Sequence, residues 1–375
     1  MSFPKKGEEL MKKRVFLAVF LFCAVLSLFP VPPQTARSFF LKEGGPRVNV
    51  SVIMPERDGE SAGPFPLLVV LNAPEYAGVF SSILSVMADF GYAPRVILAV
   101  LETDNPFSIY TPSQAGIPGG DVISDSGGGP RLRELLIAEI IPWIDANYPV
   151  SSYRLAYGHS VGGLWVLEDL INTDSLFSAH AATSPSCWWD DELLTRRVKR
   201  EDGVSLKGGL FMCMGNEGET MLPPAKRFFE AVTQCEGDIT AEFLSFETTD
   251  HQMIPVIAFS HSMAFLFSDW KLTEEIMGGG FDAVDQAVCR LNEKYGTHRK
   301  IPERFLNRLG YEALKQGDVK RALRLFSMNC TLYPGSANVW DSLGEAYEKN
   351  GQKEKALESY EERDNIKALE NDSKL

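Results

Sequence analysis

Residues 152–167 (Ser-Tyr-Arg-Leu-Ala-Tyr-Gly-His-Ser-Val-Gly-Gly-Leu-Trp-Val-Leu) limit the folds open to this chain more than any other stretch. They read as a short strand, a turn and the apolar start of a helix. Gly158 and Gly162 stand two positions either side of Ser160, the G-x-S-x-G spacing of a nucleophile elbow. A serine at the apex of a strand-to-helix turn sits in a strained backbone, and the turn closes only if its neighbours lack bulk. The helix that follows aims its free N–H groups and partial positive charge at whatever the serine attacks. The same pentapeptide also arises as a Gly-rich turn with no chemistry, so the serine's partners have to decide.

The rest of the first 270 residues supplies a setting for such a turn. Val48, Val50 and Val52 alternate as in a half-exposed strand. Residues 67–71 and 96–100 are continuous apolar runs, as expected of strands covered on both faces of a parallel sheet. Helical stretches are predicted to about residue 90 and over 131–148. Further strands are expected at 180–183, 210–214 and 240–246, with helices at 223–233 and about 254–269. Strands alternating with helices predict an α/β sheet wrapped on both faces, with ligands bound beyond the carboxyl ends of the strands, where Ser160 lies. Residues 102–130, rich in Gly, Pro and Ser, read as a long structureless loop, either functional or a surface insertion.

A serine hydroxyl needs a base to take its proton, and the base needs an acid to orient it. The chain has five histidines. His159 adjoins the serine and is expected on the opposite side of the turn. His180 opens a strand, His298 lies past a glycine hinge, and His261 falls inside the helix expected at 254–269. His251 follows the strand at 240–246, in a loop at the carboxyl edge of the sheet, and is the expected base. The acid should follow the strand at 210–214. There Gly215-Asn216-Glu217-Gly218-Glu219 offers two carboxylates; Glu217, nearer the strand end, is favoured, Glu219 stays open, and Asp250 adjoins the histidine too closely. Of the two backbone donors for an oxyanion, one should be Val161 and the other should lie near Ala73, since Pro74 has no N–H.

At 375 residues two domains are expected. A formal net charge of −13 excludes a nucleic-acid binder, which needs clustered Lys and Arg. Lys12, Lys13 and Arg14 precede an apolar run over 15–29, the pattern of an export signal and short of a transmembrane helix. Residues 1–36 are therefore read as a signal peptide cut near Ala36, or as a retained membrane anchor, with the protein periplasmic or extracellular. Cys187, Cys213, Cys235, Cys289 and Cys330 are scattered without C-x-x-C spacing, so no disulfide framework, metal or other cofactor is expected.

After Trp270 the texture becomes helical and charge-laced. Leu309-Gly310 recurs 34 residues later as Leu343-Gly344, Gly317 as Gly351, Ala322-Leu323 as Ala356-Leu357, and Phe326 as Tyr360. Small residues let paired helices approach and large ones fill the gap, so 281–375 reads as a pair of tetratricopeptide repeats following a hydrolase domain at 37–275. Two repeats are too few to stand alone, so they should lean on that domain or on the helix at 281–295.

Over roughly 47–270 the chain resembles the esterase D and enterochelin-esterase-like branch of the α/β-hydrolases. The resemblance rests on Gly158 to Gly163, on Ser184-Pro185-Ser186-Cys187-Trp188-Trp189-Asp190, on Gly215-Asn216-Glu217 and on Asp250-His251. It implies an α/β-hydrolase fold and a serine esterase acting on carboxylic esters, thioesters or siderophore-type lactones, with Trp188 or Trp189 near the acyl or leaving-group pocket. Leu71-Asn72-Ala73 and Ser108-Ile109-Tyr110 depart from the family pattern beside the expected pocket, which leaves the substrate open. A catalytically weak hydrolase scaffold that binds protein partners through its repeats is the rival reading, and acyl transfer to an acceptor other than water a third.

Overall fold

The computed structural model describes residues 34–41, 45–56, 63–200 and 205–372; the apolar run at 15–29 lies outside them. Eight strands form one mixed sheet: β1 (Gln34–Phe40), β2 (Arg47–Ile53), β3 (Phe65–Leu71), β4 (Ile97–Glu102), β5 (Val150–His159), β6 (Ala179–Thr183), β7 (Ser205–Gly215) and β8 (Glu236–Phe246). Their order across the sheet is β1-β2-β4-β3-β5-β6-β7-β8. β2 runs antiparallel to both neighbours, and every pair from β4 to β8 is parallel.

The period of two along each strand divides the core into two layers. Leu67, Val69, Leu71, Ile97, Ala99, Ala156 and Met212 face one layer. It is closed by α3 (Gly129–Leu135), α4 (Ile141–Asn147), α5 (Val161–Ile171), α6 (Trp189–Arg200) and α7 (Gly218–Thr233). Leu68, Val70, Leu98, Leu155, Tyr157 and Phe211 face the other, closed by α1 (Ala77–Asp89) and α8 (Ile254–Leu266). Every residue of β3 is buried, as the apolar run required.

Several elements depart from the sequence reading. β1, a strand the sequence did not announce, pairs along its whole length with β2, with Ala36 opposite Ser51. β7 and β8 begin at Ser205 and Glu236, ahead of the expected starts, because glycines interrupt their apolar pattern: Gly208 and Gly237 have φ of 89° and 122°. The helix expected over 131–148 is broken by a π-turn, Leu136–Ile140, just before Pro142, which has no N–H to continue the ladder. Residues 102–130 are not structureless. They hold α2 (Pro106–Tyr110), and Gly127 N donates to Thr111 Oγ1 at 2.7 Å. A Cβ on Gly128 would sit 2.0 Å from the Ser108 carbonyl, which accounts for that glycine cluster.

The remaining chain is helical: α9 (Glu274–Gly278), α10 (Phe281–Tyr295), α11 (Glu303–Lys315), α12 (Val319–Leu332), α13 (Ala337–Lys349) and α14 (Lys353–Asp372). A Cβ built on Gly310 would meet the Phe326 ring at 2.4 Å, and one on Gly344 the Tyr360 ring at 2.3 Å, so the 34-residue spacing appears as two like contacts. α10 has two faces. Its Leu291 and Tyr295 enter the core of the sheet domain, while Val284 and Val288 pack with Phe305, Leu306 and Leu309 of α11. Among the described residues no helix is long and apolar enough to cross a membrane.

Candidate active site

Ser160 stands between β5 and α5 with φ 58° and ψ −120°, a left-handed backbone that costs a non-glycine residue about 1–3 kcal/mol. Three contacts hold it there. Ser160 N donates to the Thr183 carbonyl at 3.1 Å, and the Ser160 carbonyl accepts from Leu164 N at 3.0 Å and Ser186 N at 3.1 Å. The flanking glycines are sterically required. A Cβ on Gly158 would lie 2.3 Å from the Gly162 carbonyl, and one on Gly162 would lie 2.5 Å from the Leu71 carbonyl.

The other two predicted partners meet each other. Asn216 N donates to the Thr249 carbonyl at 2.7 Å, tying the loop after β7 to the loop after β8. Across that tie His251 Nδ1 and Glu217 Oε2 are 2.9 Å apart. A carboxylate only accepts, so Nδ1 carries a proton, and in the neutral ring Nε2 is the nitrogen with the free lone pair. Ser184 Oγ, on a left-handed residue after β6, donates to the other Glu217 oxygen. Burial pushes the Glu217 carboxyl up, but the bonds from His251 and Ser184 outweigh it and hold the group below the usual carboxylate range. Glu219 is exposed in the first turn of α7, and Asp250 is occupied in accepting from Gln252 N and Met253 N at 3.1 and 2.9 Å.

Ser160 and His251 line one open cavity of about 270 Å³, together with His159, Asn72, Pro74 and Gln252. No hydrogen bond joins the Ser160 hydroxyl to the His251 ring in this structure, although such contacts are often long before substrate is bound. Val161 opens α5, so its N–H has no partner within the helix. Ala73 is wholly buried ahead of the 3-10 turn Pro74–Tyr76; its neighbours Asn72 and Pro74, not Ala73, line the cavity. Asn72 itself is left-handed (φ 58°), and its Nδ2 donates to the His159 carbonyl at 3.2 Å, pinning the end of β3 to the elbow.

His159 corrects the sequence reading. It is not across the turn: its ring lies against His251, centroids 4.5 Å apart, and the residue lines the cavity. Alternation along β5 would separate neighbours, but the left-handed backbone at Ser160 breaks it. Burial, then the nearby His251, pushes the His159 imidazole down to about 4, so it is neutral at neutral pH. Trp188 and Trp189 do not line the cavity. Trp189 is buried in the core, stacked on Phe107 at 5.6 Å, with its Nε1 donating to the Ser113 carbonyl at 3.3 Å; the Trp188 Nε1 points to Met221 Sδ at 2.8 Å. The sequence reading gave no role to Ser184, whose only signal was the Ser-Pro-Ser block. Among the described residues no group of three or more His, Cys, Asp or Glu is placed to hold a metal ion.

Residues 43–223, just under half of the chain, match the model of the family described as "Putative esterase". The chain is 22% identical over 262 residues to the ferri-bacillibactin esterase BesA of Bacillus subtilis, covering 63% of this chain and 90% of that one. It is 25% identical over 175 residues to the apo-salmochelin esterase of Escherichia coli, covering 44% of this chain and 54% of that one. Among solved structures, an IroE-like serine hydrolase from Shewanella oneidensis superposes with a TM-score of 0.62 at 20% identity, over 79% of this chain and 99% of that one. The mixed sheet and its surrounding helices thus follow the IroE-like hydrolase fold.

Proposed function

We propose that this chain, a carboxylic ester hydrolase, cleaves its substrate through an acyl-enzyme formed on Ser160. The 2.9 Å pair of His251 and Glu217, beside a left-handed serine on one cavity, is the observation that carries the proposal. His251 Nε2 accepts the hydroxyl proton as Ser160 attacks the ester carbonyl, and returns it to the leaving alcohol. Glu217 holds the ring in that tautomer and stabilises the imidazolium. The Val161 N–H and a donor at Asn72–Ala73 receive the oxyanion. Water then repeats the sequence and releases the acid.

The lining favours uncharged substrates. Among the described residues Glu75 and Glu102 line the cavity and no Lys or Arg does, so an anionic ferric chelate meets repulsion there. Metal-free lactones of the siderophore type and simple esters are therefore placed ahead of iron complexes. The helices after Trp270 are read as two tetratricopeptide-type hairpins that brace the sheet domain, as their packing through α10 supports.

Replacing Ser160 by Ala tests the core of the proposal. Turnover of p-nitrophenyl acetate should fall by at least ~10³-fold, the scale for losing a triad nucleophile. Retention of wild-type turnover in that variant rules the assignment out.

A further inference from the structure

A second cavity, of about 420 Å³, lies at the junction of the sheet domain and the helical domain. Arg95, just ahead of β4, and Trp270, after α8, face it from one side. His298, Arg299 and Lys300, between α10 and α11, and Tyr333, at the end of α12, face it from the other. Among the described residues none that lines it is acidic, although the whole chain carries a formal charge of −13. Concentrating cations here runs against the composition.

Two of the cations are also short of partners. Arg299 has five side-chain N–H donors. Among the described residues its one side-chain hydrogen bond goes to the Trp270 carbonyl, and the guanidinium lies 4.5 Å over the Trp270 ring. Lys300 Nζ donates to the Leu332 carbonyl at 2.6 Å and sits 5.0 Å over the Tyr333 ring. Among the described residues neither has a carboxylate within salt-bridge distance. Arg95 is paired with Asp89 at 2.7 Å, whose side chain is 53% exposed. Burial pushes the Arg299 guanidinium down to about 10, a sign of desolvation that no anion offsets. A half-buried cation without a counter-charge carries part of its desolvation cost uncompensated, and a bound anion would offset it.

We propose that this cavity binds a small organic phosphate, the phosphate held by Arg299 and Lys300 from the helical side and by Arg95 from the sheet side. Arg and Lys together suit a dianion better than a single carboxylate, since guanidinium groups engage phosphate oxygens in pairs. The volume exceeds what a bare phosphate fills, leaving room for an organic body against Phe65 and Trp270. The ligand would bridge the two domains.

Calorimetry on the full chain at fixed ionic strength tests this, with AMP and inorganic pyrophosphate as probes and acetate as control. Saturable binding of AMP or pyrophosphate, but not of acetate, is expected. Lys300→Met and Arg95→Met should each weaken it by at least ~10-fold, the scale for one lost hydrogen bond to a charged group, with melting profiles checking that the variants fold. Should either variant fail to fold, the wild-type melting temperature decides: AMP raises it and acetate at equal ionic strength does not. Absence of saturable binding by both probes, binding unchanged in folded variants, or equal melting shifts with AMP and acetate overturns the proposal. None of these readouts depends on Ser160 chemistry.

Discussion

At the scale of single residues, catalysis depends on which carboxylate serves His251 and on what His159 does beside it. Replacing Glu217 by Gln removes the acceptor that fixes the tautomer, so turnover should fall by about 10³–10⁴-fold, while Glu219→Gln should leave it near wild type. Steady-state rates for the two variants check this. The same groups set the acid limit of stability. His159 is held neutral at about 4 against an ordinary 6.5, so the unfolded chain binds the extra proton and stability is lost as pH falls from 6.5 towards 4. Glu217 is depressed below its ordinary 4.5, so its contribution is complete above 4.5 and is lost as pH falls through the folded value. The melting temperature of His159→Asn should therefore drop less than that of wild type between pH 7 and pH 4.5. An equal drop would assign the acid sensitivity elsewhere. Ser160 and His251 could be singled out from the sequence, because an elbow serine leaves few places for a base when only five histidines exist. Glu217 was favoured over Glu219 only by its place nearer the strand end, and the contact from Ser184 had no signal, because both depend on loops that meet only after the sheet has formed.

At the scale of elements, the elbow is a contact between β3 and α5 as much as a turn. A Cβ on Gly162 would press on the Leu71 carbonyl at 2.5 Å and the Asn72 Cβ at 2.7 Å, both on backbone or near it. Gly162→Ala should push the start of α5 off the end of β3 and misplace the Val161 N–H. Turnover should fall by more than ~10²-fold, the scale for a displacement of about 1 Å, in a protein that still melts cooperatively. Kinetics and a melting curve separate that outcome from simple unfolding. Buried strands were legible because an unbroken apolar run with turn residues at its ends is stable only where both faces of the sheet are covered. The start of α6 was not, since Asp190, Asp191 and Glu192 are left-handed with φ of 49°, 50° and 57° and no glycine announces it. Two contacts from afar and one from within the helix hold that turn: Ser113 Oγ donates to Asp190 Oδ2 at 2.6 Å, Arg227 Nε to Glu192 Oε2 at 3.0 Å, and Arg196 Nη2 to the Asp190 carbonyl at 2.6 Å.

At the scale of the whole molecule, α10 ties the helical region to the sheet domain. The Tyr295 ring packs on Tyr153, Phe267 and Trp270 at 4.7, 5.6 and 5.4 Å, and Ser151 Oγ donates to its carbonyl at 2.7 Å. The change in texture after Trp270 was visible in the sequence; that this helix completes the sheet domain's core was not, since its pattern resembles that of the helices after it. A chain ending at residue 272 should melt well below one ending at residue 300, by the equivalent of about 3–5 kcal/mol for an unfilled aromatic site. Equal melting temperatures would contradict the bridging role. The central claim, that His251 activates Ser160, is tested most directly by a fluorophosphonate probe followed by intact mass and peptide mapping. A single phosphonyl adduct on Ser160 is expected in the full chain, and its loss in His251→Ala. No adduct on Ser160, or undiminished labelling without His251, would contradict it.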